Sequence, residues 1–146
     1  MHDFPSPDVW VPHRVSYGET DTMSFVYYAE YLHYFERARS AFIRQSGMSS
    51  AEIEQRDILL PVREAHCRYR QPAHYDDLLY IHIGISEWSR ASLRFVYEIR
   101  DERKERVLVE GMTQHALINR EGKPIAVPDW FRTLCSGITP GIVVEP

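Results

Sequence analysis

Residues 17–32 run Tyr17-Gly18-Glu19-Thr20-Asp21-Thr22-Met23-Ser24-Phe25-Val26-Tyr27-Tyr28-Ala29-Glu30-Tyr31-Leu32. A polar loop with two carboxylates passes into an aromatic run, and the period then changes. From about Ala29 to Ser46, Tyr31, Phe35, Ala38 and Phe42 fall at spacings of four, three and four, with Leu32 and Ile43 widening the stripe. That spacing predicts one long helix, spanning roughly 27 Å at about 1.5 Å per residue. Gly47 suits its C-terminal stop, because glycine takes the left-handed conformation at little cost. Glu30 near the start and Arg44 near the end suit the helix dipole.

Outward from this helix the chain reads as strands. His13 to Tyr17 is a short candidate strand. A short second helix is expected from Ser49 or Ser50 to about Arg56, with Ser50, Ile53 and Glu54 as a loose capping pattern. After Pro61 the period becomes two. Ala65, Cys67 and Tyr69 alternate with polar neighbours, as do Leu79, Ile81, Ile83 and Ile85, then Leu93, Phe95, Tyr97 and Ile99; Val107 to Ile118 follows. The links Gln71–Asp77, Trp88–Ala91 and Asp101–Glu105 are short and polar, which predicts hairpins and an antiparallel sheet. The apolar girth of the long helix, with Tyr34 added, exceeds a narrow stripe. The predicted architecture is therefore α+β: a curved five-stranded antiparallel sheet wrapped around one long, mostly buried helix. Residues 1–12, with Pro5, Pro7 and Pro12, read as an extended arm; 13–135 as one domain; 136–146 as an irregular tail.

Composition narrows the function. With 44% apolar and 26% charged residues, the chain suits a single globular domain. A net charge of -4 argues against nucleic acid as partner. No apolar run approaches the roughly 20 residues of a membrane span, and Met1 to Pro12 lacks the pattern of a signal peptide. Cys67 and Cys135 make neither a disulfide framework nor a metal cluster. A cytoplasmic location is expected.

The 17–32 segment offers two things a hydrolase needs. One is a carboxylate that can act as base or nucleophile. The other is a helix N-terminus, whose first N–H groups lack intrahelical partners and can hold developing negative charge on a carbonyl. A loop aspartate ahead of a helix ordinarily caps it, but Asp21 lies several residues too early to reach N2 or N3.

The pattern Tyr17-x-Glu19-Thr20-Asp21-x-Met23-x-x-Val26-Tyr27-Tyr28-Ala29-x-Tyr31-Leu32-x-Tyr34-Phe35-Glu36-x-Ala38-Arg39 resembles hotdog-fold thioesterases of the 4-hydroxybenzoyl-CoA and Tol-Pal-associated acyl-CoA type. Pro72-Ala73-x-x-x-Asp77-x-Leu79 and Ser92-Leu93-x-Phe95 support it, and the likeness runs from about residue 13 to 133. The resemblance implies hydrolysis of an acyl-CoA, with no cofactor and no metal. It makes Asp21 the catalytic carboxylate, as nucleophile or general base, and the main-chain N–H of Tyr28 the donor to the thioester oxygen. It places Met23, Ser24, Phe25 and Tyr27 around the substrate, and a homodimer or homotetramer with its sites at the subunit interface. Arg68, Arg70 and Arg90 are candidate phosphate contacts, because guanidinium forks match phosphate geometry. Two departures stand out. Many relatives carry His where this chain has Tyr28, and many carry Gly where it has Ser24, a residue that would permit positive φ.

Other residues read more plainly. Glu19 is expected to be a solvated turn acid, Cys67 a small buried residue, and Glu36 with Arg39 an ion pair on the helix. The histidines show no ligand spacing such as His-Glu-x-x-His. A competing reading is a non-catalytic hotdog module that binds an acyl thioester or a protein partner.

Overall fold

The alternation of apolar residues after Pro61 forms strands because each pleat sends successive side chains to opposite faces. The computed structural model describes residues 3–145. Its strands are β1 (Asp8–Arg14), β2 (Val62–Tyr69), β3 (Leu78–Trp88), β4 (Ser92–Arg100), β5 (Val107–Ala116) and β6 (Ile142–Val143). Its helices are α1 (Glu30–Gln45), α2 (Ser50–Gln55) and α3 (Asp129–Ser136). The sheet order is β2-β5-β4-β3-β1-β6, antiparallel except for the β1–β6 pair. One face carries Leu79, Ile81, Ile83, Leu93, Phe95, Tyr97 and Ile99, each at most 1% exposed, and α1 lies across it. This is the hotdog arrangement.

α1 buries Tyr31, Tyr34, Phe35, Ala38, Phe42 and Ile43, as the spacing predicts. Phe35 stacks on Tyr97 at 4.1 Å, and Phe42 meets Phe95 edge-on at 5.7 Å. Each fully buried phenylalanine contributes about 1.5–3 kcal/mol. Gly111 on β5 makes room for this: a Cβ there would overlap the Phe35 ring and stand 2.8 Å from the His66 carbonyl. Gly47 ends the helix at φ 99°. Leu32 does not join the buried stripe; it is 40% exposed, so α1 is buried on one side only.

Four features differ from the sequence expectation. The first strand is Asp8–Arg14 rather than His13–Tyr17, so residues 8–12 belong to the sheet and not to an arm; Met1 and His2 lie outside the described residues. Pro12 is tolerated inside β1 because β6 covers only Val9 and Trp10, leaving that side of Pro12 an edge. The presumed tail contributes β6, a sixth strand, and the end of α3, which buries Phe131 and Cys135; Pro146 lies outside the described residues. α2 is capped by Ser49 with Glu52, a reciprocal capping box, rather than by Ser50. Finally, Arg39 does not pair with Glu36 but donates to the Tyr97 hydroxyl at 3.1 Å.

On the opposite face, His82 is sandwiched between Phe4 at 3.7 Å and Trp10 at 3.8 Å, and it bonds Asp8 at 2.5 Å. Burial holds its pKa below the ordinary 6.5, against the opposing pull of Asp8. Phe4 and Pro5 thus cover part of the outer face of the sheet.

Candidate active site

The Asp21 loop is a miniature hairpin. Thr20 bridges Val26, and the Asp21 N–H donates to the Phe25 carbonyl at 2.7 Å. Asp21 Oδ1 accepts the N–H groups of Met23 (2.8 Å) and Phe25 (3.2 Å), the side-chain turn that aspartate favours. Oδ2 takes no hydrogen bond among the described residues. One carboxylate oxygen is therefore anchored and the other free, on an exposed residue. Ser24 sits at φ 65°, so the loop adopts the left-handed turn without glycine. Two bonds tie the hairpin to the β2–β3 connection: Val26 N–H to Ala73 O at 2.9 Å and Tyr75 N–H to Ser24 O at 3.1 Å.

Beneath the loop lies Glu19, which is no solvated turn acid: it is 8% exposed. Its Oε1 accepts from His13 Nε2 (2.9 Å), Ser16 N–H (2.9 Å) and the Tyr34 hydroxyl (3.0 Å), and Arg37 stands 3.8 Å from Oε2. Arg37 also donates to His13 Nδ1 at 3.1 Å, which leaves the His13 proton on Nε2, facing Glu19. Burial alone would raise the Glu19 pKa, but these bonds outweigh it and hold the carboxyl below the ordinary 4.5. The Glu19 carbonyl in turn accepts the Tyr27 N–H at 2.9 Å. Glu19 thus joins β1, α1 and the start of the aromatic run. Its Tyr34 partner is fifteen residues away, so no local pattern announces the contact.

Tyr28 precedes the helix rather than opening it: Ala29 is the N-cap and Glu30 the first helical residue. The Tyr27 N–H is taken by Glu19, and the Glu30 N–H by the Tyr27 carbonyl at 2.8 Å. Among the described residues nothing accepts the Tyr28 N–H. Its carbonyl accepts from the Tyr69 hydroxyl at 3.1 Å, which fixes the peptide. Tyr69 also packs against Tyr31, whose hydroxyl accepts the Ala73 N–H at 3.1 Å. Burial, as the largest cause, pushes both phenols above their ordinary 10.0, so they stay protonated at physiological pH.

These groups wall an open cleft of about 400 Å³, lined by Asp21, Phe25, Val26, Tyr27, Tyr28, Tyr31, Tyr69, Arg70, Gln71 and Pro72. The fold brings together five residues singled out from sequence: Asp21, Phe25, Tyr27, Tyr28 and Arg70. Arg70 is partly committed, pairing with Glu110 at 3.0 Å. Met23 and Ser24 sit at the exposed loop tip and Arg68 on exposed β2; none of them lines the cleft. Arg90 lies in the β3–β4 turn, where the register places the Ala116 end of β5, opposite the Val109 end beside the cleft. The cleft residues not anticipated are Val26, Tyr31, Tyr69, Gln71 and Pro72. The Pro72-Ala73 pair was the only signal pointing to that wall.

Among the described residues there is no group of three or more His, Cys, Asp or Glu arranged to hold a metal. Nor is any helix long and apolar enough to cross a membrane. Both cysteines are free thiols, Cys135 buried and Cys67 partly so.

Comparison with known proteins agrees with this fold. The acyl-CoA thioesterase YbgC of Haemophilus influenzae is 33% identical over 119 residues, covering 80% of this chain and 86% of that protein. The DHNA-CoA thioesterase from Staphylococcus aureus superposes with a TM-score of 0.76 at 28% identity, over 85% of this chain and 87% of that one. A mutant 4-hydroxybenzoyl-CoA thioesterase complexed with 4-hydroxybenzoyl-CoA shares the fold, with a TM-score of 0.78 at 21% identity, over 90% and 100% of the two chains. A family model described as the thioesterase-like superfamily matches residues 15–134, taking in the Asp21 loop, α1 and β2 to β5, and the chain belongs to that superfamily.

Proposed function

We propose that this chain hydrolyses acyl-CoA thioesters to free acid and CoA, with Asp21 as the reacting carboxylate and the Tyr28 N–H as the donor to the thioester oxygen. One observation carries the reading: Asp21 and Tyr28 both line one aromatic cleft, and among the described residues one Asp21 oxygen and the Tyr28 N–H take no hydrogen-bond partner. As nucleophile, the free oxygen bonds to the carbonyl carbon and the CoA thiolate leaves; water then cleaves the mixed anhydride and restores the carboxylate. As base, Asp21 takes a proton from a water that attacks the same carbon. In either route negative charge collects on the carbonyl oxygen, where a fixed N–H just ahead of a helix stabilises it.

The proposal extends to assembly. β2 ends the sheet, and its residues are largely exposed, so it offers an unpaired edge to a second copy. We assign a homodimer or homotetramer with its sites at the subunit interface. Arg70 is then the first phosphate contact, while Arg68 and Arg90 reach the substrate only from a neighbouring subunit. Light scattering that finds a monomer would refute this part. A cytoplasmic location completes the proposal, with acyl-CoA as substrate and both thiols free.

The test is a thiol-release assay over acyl-CoAs from acetyl to palmitoyl, with benzoyl and 4-hydroxybenzoyl, and Asp21→Asn alongside. The amide keeps the shape but removes both nucleophile and base, so kcat should fall by about 10² or more while KM changes little. Near-normal turnover by this variant sinks the assignment. Silence of the folded wild type across the panel favours the non-catalytic module.

A further inference from the structure

A second cavity, of about 300 Å³, lies beneath the C-terminal half of α1, between α2 and the Leu59–Leu60 segment. Its apolar lining includes Ile43, Ile53, Ile58, Leu60 and Phe95. Arg39 and His115 bring polar groups to the same space. Arg39 is eleven residues beyond Tyr28 along the chain, so the cavity stands roughly 16 Å from the Tyr28 N–H at about 1.5 Å of helix rise per residue.

The hydrogen-bond chain behind the cavity has one consistent direction. The Leu60 carbonyl can only accept, so His115 Nδ1 carries a proton and donates to it at 2.9 Å. His115 is 1% exposed, and burial holds its pKa below the ordinary value, so the ring is neutral and Nε2 is an acceptor. The Thr113 hydroxyl must then donate to Nε2 at 2.8 Å. That leaves the Thr113 oxygen to accept the Tyr97 hydroxyl at 2.5 Å. The Tyr97 oxygen accepts Arg39 Nη1 at 3.1 Å. Every buried member is satisfied. Arg39, only half-buried, spends one of its five donors in this way.

No carboxylate among the described residues stands within ion-pair distance of that guanidinium. Glu36 and Glu54 line the cavity, but both are exposed, and an exposed carboxylate contributes at most about 1 kcal/mol to a pair with a cation. A half-buried cation without a counter-ion, over an apolar floor, is the constellation expected of a ligand site. We propose that this cavity binds a small carboxylic acid with an apolar body, its carboxylate on Arg39 and its body against Ile43, Ile53, Ile58 and Phe95. The volume is at the low end of ligand sites, about 300–1,000 Å³, which limits the body to an aromatic ring or a medium chain. The site is separate from the Asp21 cleft and needs no hydrolysis.

Calorimetric titration of the full chain with benzoate, octanoate and benzamide tests it. Benzoate or octanoate should bind wild type and Asp21→Asn alike, and benzamide at least tenfold more weakly. Arg39→Gln should lose at least tenfold in acid affinity, and Arg39→Lys should recover part of it. Ser40→Phe, which fills the cavity from the helix rim, should abolish binding, and it decides the matter if Arg39→Gln fails to fold. Unchanged affinity in the folded Arg39 and Ser40 variants, equal binding of benzamide, loss of binding in Asp21→Asn, or no acid binding to wild type at millimolar concentration would each overturn the proposal.

Discussion

Replacing Glu19 by glutamine tests how the loop beneath Asp21 is held. Glu19 Oε1 receives three donors, from His13, Ser16 and Tyr34, and Arg37 faces Oε2. Hydrogen bonds to a charged group contribute about 1.5–3 kcal/mol each, and neutral ones about 1. An amide oxygen carries less negative charge than a carboxylate oxygen, so all three bonds weaken; the amide N–H groups then meet Arg37, itself a donor. Tyr34 is 0% exposed and cannot turn to water. The sum is a loss of about 3 kcal/mol at pH 7, or about 6–12 °C in Tm for a domain of this size. The pH dependence makes the test sharper. The folded pKa of Glu19 lies below 4.5, so its stabilisation is complete above that value and is lost as pH falls through the folded pKa. Glutamine has no such proton, so the gap between wild type and variant should close in acid. Urea melts at pH 7 and at about pH 3, followed by circular dichroism, measure both quantities. A variant within 0.5 kcal/mol of wild type at pH 7, or a gap that persists unchanged in acid, would refute the account.

Three further outcomes follow from the fold. Ser24 holds φ 65°, which costs a non-glycine residue about 1–2 kcal/mol; Ser24→Gly should raise stability by about 0.5–1 kcal/mol after the entropy of the unfolded glycine is subtracted, and an unfolding midpoint that falls would contradict this. Gly111→Ala should cost about 1–3 kcal/mol, because the Phe35 ring and the His66 carbonyl occupy the space of a Cβ; a neutral effect in denaturant melts would mean the Phe35–Gly111 packing is wrong. His82 titrates below 6.5 in the folded chain, so the unfolded state binds more protons between the two values, and stability declines as pH drops below 6.5; an NMR titration placing its pKa at or above 6.5 would reject that burial.

Much of the architecture was legible because it rests on local periodicity. Alternating Leu, Ile, Phe and Tyr residues marked β3 and β4, the four-three-four spacing marked α1, and Gly47 marked its end. β1 was misplaced because Pro12 and Trp10 interrupt the alternation, and Pro12 is admissible only where β6 stops short of it. β6 was not foreseen because two residues carry no period; Ile142 and Val143 become a strand only by lying beside Val9 and Trp10.

The candidate site divides in the same way. The Thr20-Asp21 loop and the aromatic run ahead of α1 stand in one contiguous stretch, so order along the chain was enough to bring Asp21, Phe25, Tyr27 and Tyr28 to one place. Tertiary structure alone decided the rest. Tyr69, Gln71 and Pro72 reach the cleft from more than forty positions away, through the pairing of Val26 with Ala73. Glu19 became a buried support rather than a solvated acid because His13 from β1 and Tyr34 from α1 converge on it. Arg39 left Glu36 for Tyr97, fifty-eight residues on. A sequence states which groups are available within a few residues of one another; which distant groups desolvate and satisfy one another is settled only when helix and sheet close over them.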